Sequence, residues 1–146
     1  MKTRFLNILK CLPIVVMALT LSSCEEVQLD VNLDNDSGYV EYSTDYLTSR
    51  VWVDEWEDEE GMFYHQELTF YPDRVGTDYM YTEDPWGYRT ESSYDFYWSW
   101  KNSRCTTIKL KYGPGDYSYM EQISLGGNRL DCLFDGQRAY FKGRLR

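Results

Sequence analysis

The chain has 146 residues, with 24 Asp+Glu against 15 Lys+Arg and a formal charge of −9. That length suits one domain, and an acidic balance without a basic stripe argues against nucleic acid or anionic lipid headgroups as partners. The 14 Tyr and 5 Trp all follow Cys24; these residue types favour strands and bury large areas behind a polar tip, so an all-β domain is expected.

Residues 1–10 carry Lys2, Arg4 and Lys10 and no acid, and Cys11 to Leu21 is almost wholly apolar. A basic segment followed by 11 apolar residues is the pattern of a secretory signal. It is too short to span a bilayer, which takes about 20 residues, and Pro13 weakens it as a helix. Leu21-Ser22-Ser23-Cys24 then resembles the lipobox of bacterial lipoproteins. The resemblance implies a signal peptide over 1–23, cleavage before Cys24, and acyl chains on Cys24 that hold the protein at the cell envelope. One chain anchors only marginally, at about 0.8 kcal/mol per buried methylene, and several anchor stably. Glu25-Glu26 is similar to the surface-export signal of Bacteroidetes lipoproteins, which points to the outer membrane, with a periplasmic or a surface-exposed leaflet both open.

Once Lys2, Arg4 and Lys10 leave with the signal, 24 acids face 12 basic residues. Residues 25–46 hold seven acids and no base, with sparse apolar residues and no sustained period. Residues 24–46 are therefore expected to be the lipidated cysteine and a flexible acidic tether. An edge strand near Tyr39 to Tyr42 is the alternative.

From Leu47 onward, runs rich in Val, Ile, Thr, Tyr, Phe and Trp alternate with turn signals. Strands are expected at 50–56, 62–71, 75–82, 90–101, 105–112, 117–125, 130–134 and 137–143. The turns between them include Pro72-Asp73-Arg74, Asp84-Pro85-Trp86-Gly87, Gly113-Pro114-Gly115-Asp116 and Asp135-Gly136, the last a favoured two-residue hairpin pair. The clearest alternation is Tyr94, Phe96, Trp98 and Trp100 against Asp95, Ser99 and Lys101. Eight strands with short links leave no room for crossover helices, so they form an antiparallel meander. Closure into an up-and-down barrel removes its edges and leaves an interior that is filled or holds one small ligand. A sandwich is the alternative.

Leu47 to Trp52, Glu67-Leu68-Thr69-Phe70-Tyr71-Pro72-Asp73 and Phe141-Lys142-Gly143-Arg144 together look like a lipocalin-like domain of short bacterial lipoproteins, over 47–146. Arg50 stands where that family carries glycine in Gly-x-Trp. The resemblance implies that Trp52 plugs one barrel end beneath a basic side chain, Arg144 or Lys142, through a cation–π contact.

Few residues speak for chemistry. His65, the one histidine, is out of phase with Leu68 and Phe70 and is expected at the surface. Glu57-Asp58-Glu59-Glu60 lacks the spacing of a calcium loop and reads as a solvated hairpin tip. Cys132 shares a phase with Leu130 and Phe134, whereas Cys105 is out of phase with Ile108 and Leu110. An exported chain permits a Cys105–Cys132 disulfide, while those opposite phases oppose one. No metal site or cofactor is expected. Trp86 and Tyr88 sit at a turn, where a large aromatic either packs over the barrel or contacts a ligand. Trp86, Tyr88, Trp98 and Trp100 are the candidate ligand-binding residues. The expected function is a non-enzymatic binding or interaction module for a small ligand or an envelope partner. An accessory hydrolase or inhibitor in nutrient capture is the alternative, for which no residue speaks.

Overall fold

A computed structural model describes residues 36–146. The expected signal peptide, Cys24 and the first part of the expected tether lie outside the described residues. The chain runs through one helix, α1 (Asp36–Thr48), and eight strands: β1 (Arg50–Glu57), β2 (Phe63–Phe70), β3 (Val75–Glu83), β4 (Arg89–Trp100), β5 (Ile108–Gly113), β6 (Asp116–Gly126), β7 (Arg129–Phe134) and β8 (Gln137–Leu145). Each strand pairs antiparallel with the next, and β1 pairs with β8, so the sheet closes into an up-and-down barrel. The expected strands are all present, with ends displaced by at most three residues.

The largest departure lies before the barrel. Residues 36–46, expected within a flexible tether, form most of α1. Tyr, Thr and Ser are indifferent helix formers, and the buried face of α1 is Ser43, Leu47 and Thr48, two of the three polar. No apolar stripe announces it. Packing against β1, β2 and β6 holds the helix across one barrel end.

Alternation places Trp52, Leu68, Phe70, Phe96, Trp98, Ile108, Leu110, Leu130 and Phe141 inside the barrel and buries them all. Phe70 meets Phe96 and Trp98 edge-on at centroid distances of 5.4 and 5.6 Å, an arrangement suited to the ring quadrupoles. Gly76 makes this possible. The Phe96 ring lies directly over it, and a β-carbon there would also stand 2.7 Å from the carbonyl oxygen of Thr69.

Strand β6 carries a bulge between Glu121 and Ser124, with Gln122 at φ 51°. The extra residue resets the alternation. Both Met120 and Ile123 therefore face inward and are buried, although their spacing is odd.

Candidate functional site

The two barrel ends differ. At the helix end, the indole N–H of Trp52 donates to the Leu47 carbonyl at 2.8 Å, and that of Trp100 donates to the Thr44 hydroxyl at 3.0 Å. The indole N–H of Trp98 is shared between the carbonyls of Tyr71 and Val75 at 3.1 Å each. The Asn128 amide donates to the Tyr46 hydroxyl, and Arg146 reaches the Thr48 carbonyl at 3.0 Å. The tryptophans supply the apolar filling, and Trp52 and Arg146 supply the donors for the Leu47 and Thr48 carbonyls at the end of α1. This end is sealed.

Trp52 is fully buried at this end, but the basic side chains expected over it lie elsewhere. Arg144 and Lys142 alternate with the inward Phe141 and Gly143, so both point outward. Arg144 bonds Glu67 on the outer wall at 3.0 Å. The ring beside Trp52 is Tyr46, 6.1 Å away, with the Arg50 guanidinium 3.9 Å over it. Gly143, opposite Trp52, leaves room for this packing; a β-carbon there would stand 3.2 Å from the indole.

The other end, formed by the turns at 58–62, 84–88, 114–115 and 135–136, is the mouth. Inward side chains change character on the way to it. Above the apolar layer come Asp54, Gln66 and Asp78, all buried. Gln66 donates from its amide nitrogen to Asp78 Oδ1 at 2.9 Å, and the Tyr112 hydroxyl donates to Asp78 Oδ2 at 2.8 Å. Asp54 is the register partner of Gln66. Burial pushes the Asp78 carboxyl above the usual carboxylate range, against the opposing pull of its two hydrogen bonds. Burial, then the Asp78 charge, push the Tyr112 phenol up as well.

Higher still, Trp56 and Tyr64 stack across the β1–β2 pair at 5.1 Å with planes 1° apart. Tyr94 shares the inward face of Phe96 and Trp98, yet it is 45% exposed. An inward tyrosine wetted to that extent marks solvent entry into the barrel.

The turn Asp84–Tyr88 stands at this rim. Asp84 Oδ1 accepts from the amides of Trp86 and Tyr88 at 3.0 and 2.8 Å, and the Gly87 amide donates to the Asp84 carbonyl. Gly87 adopts φ 83°, where glycine is favoured. This rigid turn holds Trp86 89% exposed and Tyr88 73% exposed. The structure therefore separates the four expected ligand residues. Trp86 and Tyr88 stand at the mouth, and Trp98 and Trp100 fill the sealed end.

Other expectations divide in the same way. His65 does face outward, but it is covered rather than solvated. Its ring lies 4.6 Å from Tyr81 at 15°, with Glu55 2.8 Å from Nδ1 and Glu67 3.0 Å from Nε2. Two carboxylates on opposite ring nitrogens do not converge on one ion, and among the described residues no metal-binding cluster exists. Cys105 is 3% exposed rather than outward, because it belongs to the loop before β5, at φ 51°, where strand phase does not apply. Cys105 and Cys132 are both buried thiols, and no disulfide joins them.

The inward polar layer is what sequence reasoning missed. Asp54 lies midway between Trp52 and Trp56, and Asp78 between Gly76 and Met80, so strict alternation along β1 and β3 identifies both. Comparison with protein-family models, curated proteins and solved structures gives no match to this chain.

Proposed function

We propose that this protein is a lipid-anchored lipoprotein of the cell envelope whose barrel is a non-enzymatic binding module. It admits a small ligand through the mouth. The observation that carries this reading is the contrast between the ends. One is closed by α1 and three tryptophans, and the other keeps an inward tyrosine in contact with water. Concave sites with aromatic walls and a few convergent polar groups are the usual form of small-molecule pockets. The rigid Asp84–Tyr88 turn adds aromatic contact area that needs no ordering on binding.

The anchor rests on the leader, the lipobox-like Leu21-Ser22-Ser23-Cys24 and the acidic pair after it. The chain enters the barrel through α1, at the end opposite the mouth. Acidic residues after Cys24 support the outer membrane as the location.

Two measurements test this reading. The intact mass of the membrane-bound protein should match a chain starting at acylated Cys24, and Cys24→Ala should move the domain to the soluble fraction. Native mass spectrometry of the full chain in detergent, after exposure to cell extract, should show a small-molecule adduct. Ser92→Trp, which puts a bulky ring on the inward face beside Met80, should abolish that adduct. A chain that never carries an adduct overturns the binding function, and persistence of Cys24→Ala in membranes overturns the anchor.

A further inference from the structure

We infer that the open edge of β4 over Arg89 to Asp95 is an interaction surface for a second copy of this chain, whose own β4 adds to it antiparallel about a twofold axis at Ser92. This goes beyond the binding function and does not depend on it. The open edge follows from unequal pairing. On its β3 side, β4 is paired from Arg89 to Tyr97. On its other side, only Tyr97 to Trp100 pair with β5. Past Lys111 the β5–β6 ladder is irregular and the hairpin turns back, so β5 does not follow the first part of β4. The Trp98 amide donates to the Arg74 carbonyl on the β3 side, and the Lys101 amide donates to the Thr107 carbonyl on the β5 side. Backbone groups alternate in direction along a strand. The amides and carbonyls of Arg89, Glu91, Ser93 and Asp95 therefore point away from β3, and among the described residues no strand pairs with them there. Every residue from Arg89 to Asp95 except Ser92 is exposed. The stretch has no proline, glycine or bulge to blunt its edge.

The side chains say what fits this edge. The run is Arg89-Thr90-Glu91-Ser92-Ser93-Tyr94-Asp95. Charges on an edge strand normally keep other chains away, and here one register turns them into partners. A twofold axis at Ser92 sets Arg89 opposite Asp95 of the second copy, Glu91 opposite its Ser93, and Thr90 opposite its Tyr94. The four residues with outward-directed amides and carbonyls then all fall in hydrogen-bonded pairs, and Ser92 faces its counterpart in a non-hydrogen-bonded pair. An axis at Glu91 would set that carboxylate against itself, and an axis at Ser93 would set Glu91 against Asp95. Like charges directly opposite destabilise an antiparallel pair, whereas opposite charges and aromatic–β-branched pairs stabilise it. The Arg89 guanidinium donates from Nε to Glu91 at 2.8 Å and from Nη2 to the Tyr79 hydroxyl at 2.8 Å, which leaves Nη1 for a second carboxylate. Trp86, Tyr88 and Tyr97 are exposed beside the two ends of the edge and add apolar area to the same surface. Such a contact uses one patch twice and closes at two copies.

The test uses the full chain in detergent. Sedimentation velocity over about 1–300 µM should show monomer passing to dimer, as a small interface allows. Arg89→Asp and Asp95→Arg should each weaken the dimer by about tenfold or more, because each sets like charges opposite. A mixture of these two variants should restore it, since each then offers the other the missing charge at both pairs. Ser93→Pro removes an amide from the open edge and none from the β3 ladder. It should abolish the dimer while Tm stays within about 2 °C of the parent. Ser92→Cys should give a disulfide-linked dimer with oxidised glutathione, and Ser93→Cys, whose counterpart lies out of reach in this register, should not. A chain that stays monomeric throughout the range overturns the proposal. A dimer indifferent to both charge reversals overturns it too, because that dimer uses another surface. A mixture that stays monomeric, or a disulfide that forms equally at both positions, overturns the register.

Discussion

The indole N–H of Trp52 donates to the carbonyl of Leu47 at 2.8 Å, five residues back along the chain. The side chain that fills the sealed end of the barrel thereby also satisfies the last turn of the helix that covers it. Trp52→Phe keeps most of the volume and leaves a buried carbonyl without its donor. It should lower stability by about 1–3 kcal/mol, visible as a drop of roughly 4–8 °C or more in Tm. Hydrogen exchange should then speed up in 43–48 before it does in the strands.

Gly76→Ala tests the close approach of β3 to Phe96. The added methyl meets the Phe96 ring and, at 2.7 Å, the Thr69 carbonyl oxygen. We expect severe destabilisation, detectable as loss of the cooperative thermal transition. Adding Phe96→Leu should restore only part of the stability, because the clash with the backbone of Thr69 remains. Full restoration would place the whole effect on the ring.

Asp78→Asn addresses the polar layer. The carboxyl is raised by burial, so the folded chain keeps this proton at a pH where the unfolded chain has lost it. The stability linked to Asp78 is complete below the ordinary value of 3.8 and is lost as pH rises through the raised value. The asparagine variant should therefore be more stable than the parent at pH 7.5, and the difference should shrink on acidification. Urea titrations at a series of pH values measure it. Greater stability of the parent at neutral pH would show that the ionised carboxylate is fully compensated in the barrel.

Trp86→Ala removes a side chain that contributes almost nothing to packing. Its Tm should stay within about 2 °C of the parent, as surface substitutions usually do, while the native-mass adduct weakens. Asp84→Ala removes the acceptor of the Trp86 and Tyr88 amides. It should weaken the same adduct while leaving the exposed rings in place, which separates the rigidity of the turn from its contact area.

Much of the barrel was legible. Asp135-Gly136 and Pro72-Asp73 announce their hairpins, and the run Tyr94 to Trp100 shows its two faces, because strand alternation and turn chemistry are local. The misses have a common cause in contacts between distant residues. Helix α1 is held by the barrel end it covers and not by its own propensity. Met120 and Ile123 share a face only because of a bulge that their sequence does not display. Tyr94 belongs to the same run as Trp98, yet one rims the mouth and the other fills the sealed end. Strand alternation reports inside and outside, and does not report height within a barrel. Asp54 and Asp78 were readable by phase, but an acid-rich chain hides two acids among 24.

The pairing of β1 with β8 joins Arg50 to Leu145, and Arg146 returns to the carbonyl of Thr48. A chain made from its N-terminus therefore holds β1 with one unsatisfied edge until β8 arrives. Contacts of such long sequence separation form slowly, and an uncovered strand edge recruits other chains. Closure of this barrel is thus complete only once β8 is in place against β1. Removing residues 143–146 would leave every consecutive strand pairing intact and still deny the ring most of its final seam.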